Sequence, residues 1–233
     1  MWIQKTETKI NYKKIDLKKK GNQYSYFYNN EKISPWHDIP YKINNDVYLM
    51  INEIPKWTRK KMEIQTKKKF NPIIQDKDDG KPREYVWGDM LFNYGAIPQT
   101  WEDTNFKYPS TGKYGDGDPI DILDIGFKQR KIGEIIPVKI LGVIPMIDSG
   151  ETDWKIISIS IDDPMADKLN KLQDIYTYMP GTIEAMFEWF EKYKLPTKNI
   201  KNKFAFNKKP GNHKTAIKII EEGYEHWNNL FKN

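Results

Sequence analysis

Residues 115–126 read GDGDPIDILDIG, an acidic loop that runs into an apolar segment. The loop carries three carboxylates within six residues, at Asp116, Asp118 and Asp121. Asp116 and Asp118 share a face of an extended backbone because side chains alternate along a strand, whereas Asp121 falls on the opposite parity. The backbone must therefore bend for the three to converge, and the glycines and the proline within the loop permit such a bend.

Clustered carboxylates repel one another unless a cation lies among them, and oxygen ligands suit Mg²⁺, Mn²⁺ or Ca²⁺. An acidic surface turn is the plainer interpretation of an isolated D-x-D pattern. An EF-hand loop also begins in this way, but it requires Gly at its sixth position and Glu at its twelfth. Those positions are Asp121 and Phe127 here, which excludes the EF-hand. The motif by itself leaves a cation site and a surface turn open.

Length and composition bound the class of protein. The 233-residue chain is long enough for one substantial hydrophobic core, and we expect a single domain over residues 1–233. It has no cysteine, so disulfides and thiol catalysis are excluded, and a reducing compartment suits it. No apolar run approaches the roughly 20 residues of a membrane span, and no secretion signal is evident. We therefore expect a cytoplasmic protein without a membrane partner.

The charge is basic and unevenly distributed. The chain has 38 Lys and Arg residues against 32 Asp and Glu, a net charge of +6, and residues 192–218 contain nine lysines and no acid. A nucleic-acid-binding surface is one interpretation of that segment. A solvated, lysine-rich surface is the other, and it is favoured because Lys, Asn and Ile are abundant along the whole chain. A basic surface can also attract an anionic substrate.

Short strands are predicted before residue 160. The alternating patterns lie at residues 47–53, 61–65 and 153–159, with one or two bent strands within 135–147, edge strands in 1–35 and a turn at 77–83. In the segment 61–65, Met62 and Ile64 are expected to face the core, while Lys61 and Glu63 share the other face. Spacing alone leaves open whether this pair is a surface ion pair or binds a phosphate and a metal. So many short strands ahead of any long helix predict a small barrel.

Helices are predicted only in the last third of the chain. Asp162-Asp163-Pro164 is typical of a helix start, with Asp capping and Pro in the first turn. A second helix is predicted at 180–194, ending before a proline, and a third at about 213–231. The apolar side of the second helix would carry Ile183, Met186, Phe187 and Phe190.

The loop D-G-D-P-I-D closely resembles the D-x-D-P-x-D signature of the family I soluble inorganic pyrophosphatases. Further blocks resemble the longer, eukaryotic-type branch of that family: HDIP at 37–40, EIPKWT at 53–58, NPIIQD at 71–76, NYGAIPQTWED at 93–103 and GETDWK at 150–155. The resemblance covers nearly the whole chain. It implies an α+β, mainly β fold, with a five-stranded OB-like β-barrel, peripheral strands and two to three packed helices.

The resemblance also implies an activity and a set of site residues. The activity is Mg²⁺-dependent hydrolysis of pyrophosphate to two orthophosphates, by direct attack of water in a homodimer, with several Mg²⁺ ions and Mn²⁺ as a substitute. The implied metal ligands are Asp116, Asp121, Asp153, Asp148, Glu63 and Glu53. The implied catalytic residues are Asp118, as general base, and Tyr94. The implied phosphate-binding residues are Lys61, Arg83, Tyr94, Lys155, Tyr193 and Lys194.

The chain departs from the family pattern in one segment. Between Arg83 and Tyr94 it is shorter than usual, and Met90 stands where the family often has a tyrosine. In the fungal dimers this segment lies near the subunit contact, as does the position of Trp57, so the resemblance implies a changed interface.

Two other classes of function compete with the enzyme. An OB-like nucleic-acid-binding module would use the lysine-rich C-terminal third and exposed aromatic residues. A basic oligonucleotide groove should not require the three carboxylates of the acidic loop, so we do not expect nucleic acid as a partner. A catalytically inactive, metal-binding relative is opposed by the complete set of acids and bases.

Overall fold

A computed structural model of the chain describes residues 10–230. The strands are β1 Asp16–Lys20, β2 Gln23–Tyr28, β3 Glu31–Ile33, β4 Tyr48–Ile54, β5 Met62–Ile64, β6 Ile73–Gln75, β7 Lys77–Asp78, β8 Lys81–Pro82, β9 Asn93–Ala96, β10 Lys107–Tyr108, β11 Lys113–Tyr114, β12 Asp121–Asp124, β13 Ile135–Asp148, β14 Glu151–Ser160, β15 Lys203–Phe204 and β16 Gly211–Asn212. The α-helices are α1 Leu172–Tyr178, α2 Thr182–Lys192, α3 Leu195–Lys198 and α4 His213–Asn229.

Five strands form a closed ring. Strand β4 pairs with β9, β9 with β12, β12 with β14, β14 with β13, and β13 with β4. The β12–β14 pair is parallel and the others are antiparallel. Within residues 10–230, three helices of seven or more residues accompany the ring. The predicted fold class, mainly β with a five-stranded barrel and two to three helices, is confirmed.

The barrel strands are buried on both faces. Alternate residues of β4 belong to two cores: Leu49 and Ile51 to one, and Tyr48 and Met50 to the other. Helix α4 covers the second core with Ala216, Ile219 and Ile220. Since both faces exclude water, each strand gains stability from β-branched and aliphatic side chains on either side. This burial explains why β4 and β13 are largely apolar along their length.

A second sheet, in the order β1-β2-β6-β5 with β3 beside β2, flanks the barrel. The strand predicted at 61–65 is β5, and Met62 and Ile64 are buried as expected. The predicted turn at 77–83 is the hairpin β7–β8. The predicted edge strands in 1–35 correspond to β1–β3, and residues 1–9 lie outside the described part of the chain.

The second and third predicted helices are found. Helix α2 buries the four apolar residues expected of it, and α3 follows as a single turn that includes Pro196. Helix α4 begins after Asn212, whose side chain accepts a hydrogen bond from the backbone N–H of Thr215 at 3.0 Å. Residue 231, the predicted end of this helix, lies outside the described residues. No helix in residues 10–230 is both long and apolar enough to cross a bilayer.

The helix predicted from Asp162-Asp163-Pro164 is wrong, because the segment forms a turn. One oxygen of Asp163 accepts from the backbone N–H of Met165 at 2.9 Å, as in a cap, but the other accepts from the N–H of Phe127 at 2.7 Å. This side chain therefore ties the turn to a loop of the barrel. The first helix begins later, at Leu172.

Candidate active site

An open cavity of about 370 Å³ lies beside the barrel, where β4, β5, β9, β12 and β14 face helix α2. Its wall contains every residue that the sequence predicted for the site: Glu53, Lys61, Glu63, Arg83, Tyr94, Asp116, Asp118, Asp121, Asp148, Asp153, Lys155, Tyr193 and Lys194. The structure thus brings these side chains together, while their individual roles remain predictions.

The acidic loop is held against the segment that contains Glu102. The backbone N–H of Gly117 donates to the carbonyl of Glu102 at 3.0 Å, and the N–H of Glu102 donates to the carbonyl of Asp118 at 2.9 Å. A Cβ at Gly115 would lie 2.3 Å from the Glu102 carbonyl carbon, so only glycine fits this approach. Gly117 has φ +91°, which also favours glycine. These two positions produce the bend that the sequence required.

Three carboxylates converge behind this loop. Oxygens of Glu102, Asp116 and Asp153 all lie within 4.8 Å of one another. Burial and the negative charges of Asp116 and Asp153 raise the pKa of Glu102 well above its usual value. Burial, Asp153 and Asp118 do the same to the pKa of Asp116. The carboxylates therefore carry more negative charge than their surroundings compensate, which suits the cluster to bind a divalent cation.

One oxygen of Glu102 accepts from the backbone N–H of Trp154 at 2.8 Å. The other, Oε2, is buried and has no hydrogen-bond partner in residues 10–230. An unpaired buried carboxylate oxygen is unfavourable, and a bound cation would satisfy it. Glu102 was not predicted as a site residue. It occurs within the block NYGAIPQTWED, but nothing in its local spacing indicated contact with Asp116 or Asp153.

Lys155 lies next to the acidic cluster. Because Lys155 on β14 is the parallel neighbour of Asp121 on β12, both side chains point into the cavity. The Lys155 ammonium contacts the carboxylates of Asp121 and Asp153 and donates to the hydroxyl of Tyr94 at 3.2 Å. Burial lowers the pKa of Lys155 and the two carboxylates raise it, and the carboxylates prevail. The ammonium therefore remains charged and neutralises part of the cluster.

The hydroxyl of Tyr94 donates to Asp121. Burial, followed by the charge of Asp121, raises the pKa of Tyr94 well above its usual value. Tyr94 is therefore a neutral hydrogen-bond donor, and it orients the Asp121 carboxylate.

Asp118 stands apart from these contacts. Its side chain is accessible to solvent through the cavity mouth, yet protein surrounds it closely enough to remove part of its hydration. Burial, with the charges of Asp121 and Glu63, raises the pKa of Asp118 to about 6. No ion pair forms with its carboxylate within residues 10–230. A carboxylate with this pKa can accept a proton near neutral pH.

Two cations, Lys61 and Arg83, also line the cavity. The Lys61 ammonium is 2.7 Å from Glu63 and 3.3 Å from Asp76, and Arg83 Nη1 is 3.0 Å from the same Asp76 oxygen. Lys61 and Glu63 do share a face of β5, as predicted. Asp76, which was not predicted as a site residue, holds Lys61 and Arg83 side by side. It occupies only part of the donor capacity of the two side chains.

Tyr193 and Lys194 lie at the end of helix α2. The Tyr193 hydroxyl donates to Asp148 at 3.0 Å, and the Lys194 ammonium contacts the same carboxylate. Burial alone would raise the pKa of Asp148, but Lys194 more than offsets it and the pKa is lowered. Asp148 is therefore a stable carboxylate at the rim of the cavity.

Glu53 lies deeper than the other predicted ligands. Its side chain is 4% exposed, and one oxygen accepts from the backbone N–H of Ile64 at 2.5 Å. Burial and the charge of Asp121 raise its pKa well above the usual value. Met90 is fully buried, and its carbonyl accepts from the N–H of Trp57 at 2.7 Å, so this position supplies no polar side chain to the cavity.

Comparison with known proteins gives a consistent family assignment. A family model described as inorganic pyrophosphatase matches residues 50–228. The inorganic pyrophosphatase of Homo sapiens is 46% identical over 215 residues, covering 89% of this chain and 74% of that protein. Inorganic pyrophosphatase 1 of Caenorhabditis elegans is 46% identical over 211 residues, covering 86% of this chain and 48% of that protein. The chain thus spans about half the length of the latter relative.

A solved structure shows a similar fold. The N-terminally truncated vacuolar soluble pyrophosphatase of Trypanosoma cruzi, in complex with PPi, superposes with a TM-score of 0.92 at 37% identity. The alignment covers 100% of this chain and 98% of that one.

Proposed function

The chain belongs to the inorganic pyrophosphatase family, and from this premise we propose that it hydrolyses pyrophosphate to two orthophosphates with the help of Mg²⁺. The observation that carries the proposal is one cavity lined both by a carboxylate cluster that Lys155 neutralises only in part and by Lys61, Arg83 and Lys194. Carboxylates complement divalent cations, and the Lys and Arg side chains complement a small polyanion.

The donor set fits hard divalent cations. It offers carboxylate oxygens only, several of them with raised pKa values and one of them, Glu102 Oε2, without a partner in the described chain. We propose that Asp116, Asp121 and Asp153 hold cations, with Glu102 completing this group. Asp148 would share a cation with Asp153, and Glu63 and Glu53 would serve the substrate side. When bound, the cations neutralise phosphoryl charge and lower the pKa of a coordinated water.

The protein's own groups would then perform the proton transfer. The attacking water forms a bond to one phosphorus while the bridging P–O bond breaks, and Asp118 accepts the proton that the water loses. Lys61 and Arg83 donate to phosphoryl oxygens on one side, and Tyr193 and Lys194 on the other. Lys155 remains with Asp121 and Asp153, where it keeps the carboxylates oriented.

The test is phosphate release from pyrophosphate by the purified full chain. We expect turnover in Mg²⁺, its loss in EDTA and its recovery when Mg²⁺ is restored, with Mn²⁺ as a weaker substitute. Asp78→Asn, in the exposed β7–β8 hairpin, is the matched acidic control and should behave as wild type. Salt-sensitive binding of an oligonucleotide without phosphate release would overturn the proposal and favour a nucleic-acid-binding module.

We also propose that the chain forms a homodimer through an apolar patch of Trp57, Val86, Trp87 and Leu91. Trp57 is 59% exposed and Val86 58%. The N–H of Trp57 donates to the carbonyl of Met90 at 2.7 Å, and the N–H of Met90 donates to the carbonyl of Thr58 at 2.9 Å, which holds the segment around Trp57 against the segment 86–91. Neighbouring exposed apolar side chains of this kind favour burial against a second copy. In sedimentation velocity, Trp57→Glu should give the monomer while Ile43→Glu, at a separate exposed apolar position, should not; a monomeric wild type refutes the dimer.

The compartment is a further proposal. The absence of cysteine suits a reducing environment, and we propose the cytoplasm. Fractionation of the native protein against compartment markers tests it, and recovery in an organelle would refute it.

A further inference from the structure

Tyr85 is placed in the cavity by strand pairing. Lys60 and Glu84 form an antiparallel bridge, the N–H of Lys61 donates to the carbonyl of Arg83 at 3.1 Å, and the N–H of Tyr85 donates to the carbonyl of Arg59 at 2.8 Å. Residues that flank such a bridge on both strands share one face of the sheet. The side chains of Tyr85, Arg83 and Lys61 consequently point the same way, and all three line the cavity.

Aromatic packing fixes the Tyr85 ring. The ring meets Trp189 edge-to-face at a centroid distance of 4.9 Å and Tyr193 at 5.6 Å, with interplanar angles of 79° and 85°. The residue is 6% exposed. A ring held by two others in this geometry has little freedom to rotate, so its hydroxyl is presented at a defined place.

The Tyr85 hydroxyl is available to a ligand. Three tyrosines of the described chain line the cavity. The hydroxyls of Tyr94 and Tyr193 donate to Asp121 and Asp148, whereas that of Tyr85 forms no hydrogen bond within residues 10–230. Burial raises the pKa of Tyr85 to about 12, against the opposing charge of Lys61. The hydroxyl therefore stays protonated near neutral pH and can donate.

We propose that Tyr85 is a substrate-binding residue, whose hydroxyl donates a hydrogen bond to the pyrophosphate phosphoryl group held by Lys61 and Arg83. This inference rests on the proposed function, since it names a contact to that substrate. A rigid neutral donor beside two cations adds direction to phosphate binding that is otherwise electrostatic. Charge alone attracts any phosphate, while a fixed hydroxyl selects the position of one oxygen.

Tyr85→Phe tests the contact, because it keeps the ring packing and removes only the hydroxyl. For loss of a hydrogen bond to a charged oxygen, we expect kcat/KM for pyrophosphate to fall by about 10- to 100-fold, mainly through KM. The dissociation constant of imidodiphosphate, a non-hydrolysable analogue, should rise by a similar factor in Mg²⁺. The thermal midpoint should not change. Tyr178→Phe, on an exposed tyrosine of helix α1, is the matched control and should leave every value unchanged.

The outcomes separate this inference from the proposed function. A wild type that releases phosphate, with a Tyr85→Phe variant equal to it in KM and in imidodiphosphate affinity, overturns the role of Tyr85 alone. A wild type that binds imidodiphosphate more tightly than the variant but releases no phosphate supports the contact and overturns hydrolysis. A wild type that neither binds the analogue nor hydrolyses pyrophosphate overturns both.

Discussion

The carboxylate cluster should make the metal-free protein less stable than a variant that lacks one of its charges. Asp116→Asn is the sharpest perturbation, since the asparagine oxygen can still accept the hydrogen bond that the N–H of Asp118 donates at 2.9 Å. Two unit charges 4.8 Å apart, the spacing that encloses this cluster, repel by about 3.5 kcal/mol at an effective dielectric constant of 20. Asp116 has two such neighbours, Glu102 and Asp153.

Removing the Asp116 charge should recover less free energy than the sum of its two repulsions. In the wild type, a crowded carboxyl takes up a proton and so avoids part of that repulsion. We therefore expect Asp116→Asn to gain about 1–3 kcal/mol in EDTA, or roughly 2–12 °C in Tm for a chain of this size. The pKa of Asp116 is raised above 3.8 in the folded protein. The folded state thus binds the Asp116 proton more tightly than the unfolded chain does. The destabilisation of the folded state by the ionised Asp116 is therefore fully present at pH values above the raised pKa. It disappears as the pH falls below 3.8.

Calorimetry at pH 8 and pH 4, with EDTA and then with Mg²⁺, measures both effects. Mg²⁺ should stabilise the wild type, by about 2.7 kcal/mol when its concentration is 100 times the dissociation constant, and should stabilise Asp116→Asn much less. Asp78→Asn, on the exposed hairpin, is the control and should match the wild type throughout. A variant that is less stable than wild type in EDTA at pH 8, or that gains as much from Mg²⁺, would refute the reasoning.

Three further predictions concern other parts of the molecule. Asp118→Asn should lower kcat by about 10²–10⁴, since it cannot accept a proton, while Mg²⁺ still raises Tm; normal phosphate release would show that another group is the base. Burial lowers the pKa of His37 from 6.5 to about 4, and its Nδ1 accepts from Trp227 Nε1 at 2.9 Å. Up to about 3 kcal/mol of stability should therefore be lost as the pH falls from 6.5 to 4, and urea unfolding of His37→Asn should lack this slope; equal slopes would contradict it. Gly115→Ala, whose Cβ would clash with the backbone of Glu102, should cost about 1–3 kcal/mol in urea unfolding and weaken Mg²⁺ stabilisation; a neutral effect would mean that the loop shifts freely.

Local patterns predicted those parts of the chain whose structure depends on near neighbours. The strand at 47–53 is β4, displaced by one residue, because alternation is a property of the extended backbone itself. The same alternation placed Lys61 with Glu63, now seen 2.7 Å apart. Helix α1 was missed, and a helix was expected instead at Asp162, because a capping side chain can equally bind a distant loop, as Asp163 binds Phe127.

The sequence by itself determined that the acidic loop must bend, that Lys61 and Glu63 share a face, and which family the chain resembles. Only the tertiary structure decided that Glu102 completes the carboxylate cluster and that Tyr85 lines the cavity. Glu102 reaches Asp153 because the acidic loop lies between them. The loop is hydrogen-bonded to the segment that contains Glu102, and its Gly115 forms a bridge with Thr152 of β14. Contacts of this kind depend on which strands become neighbours, and burial then changes the charge state of the groups that meet, so no local spacing encodes them.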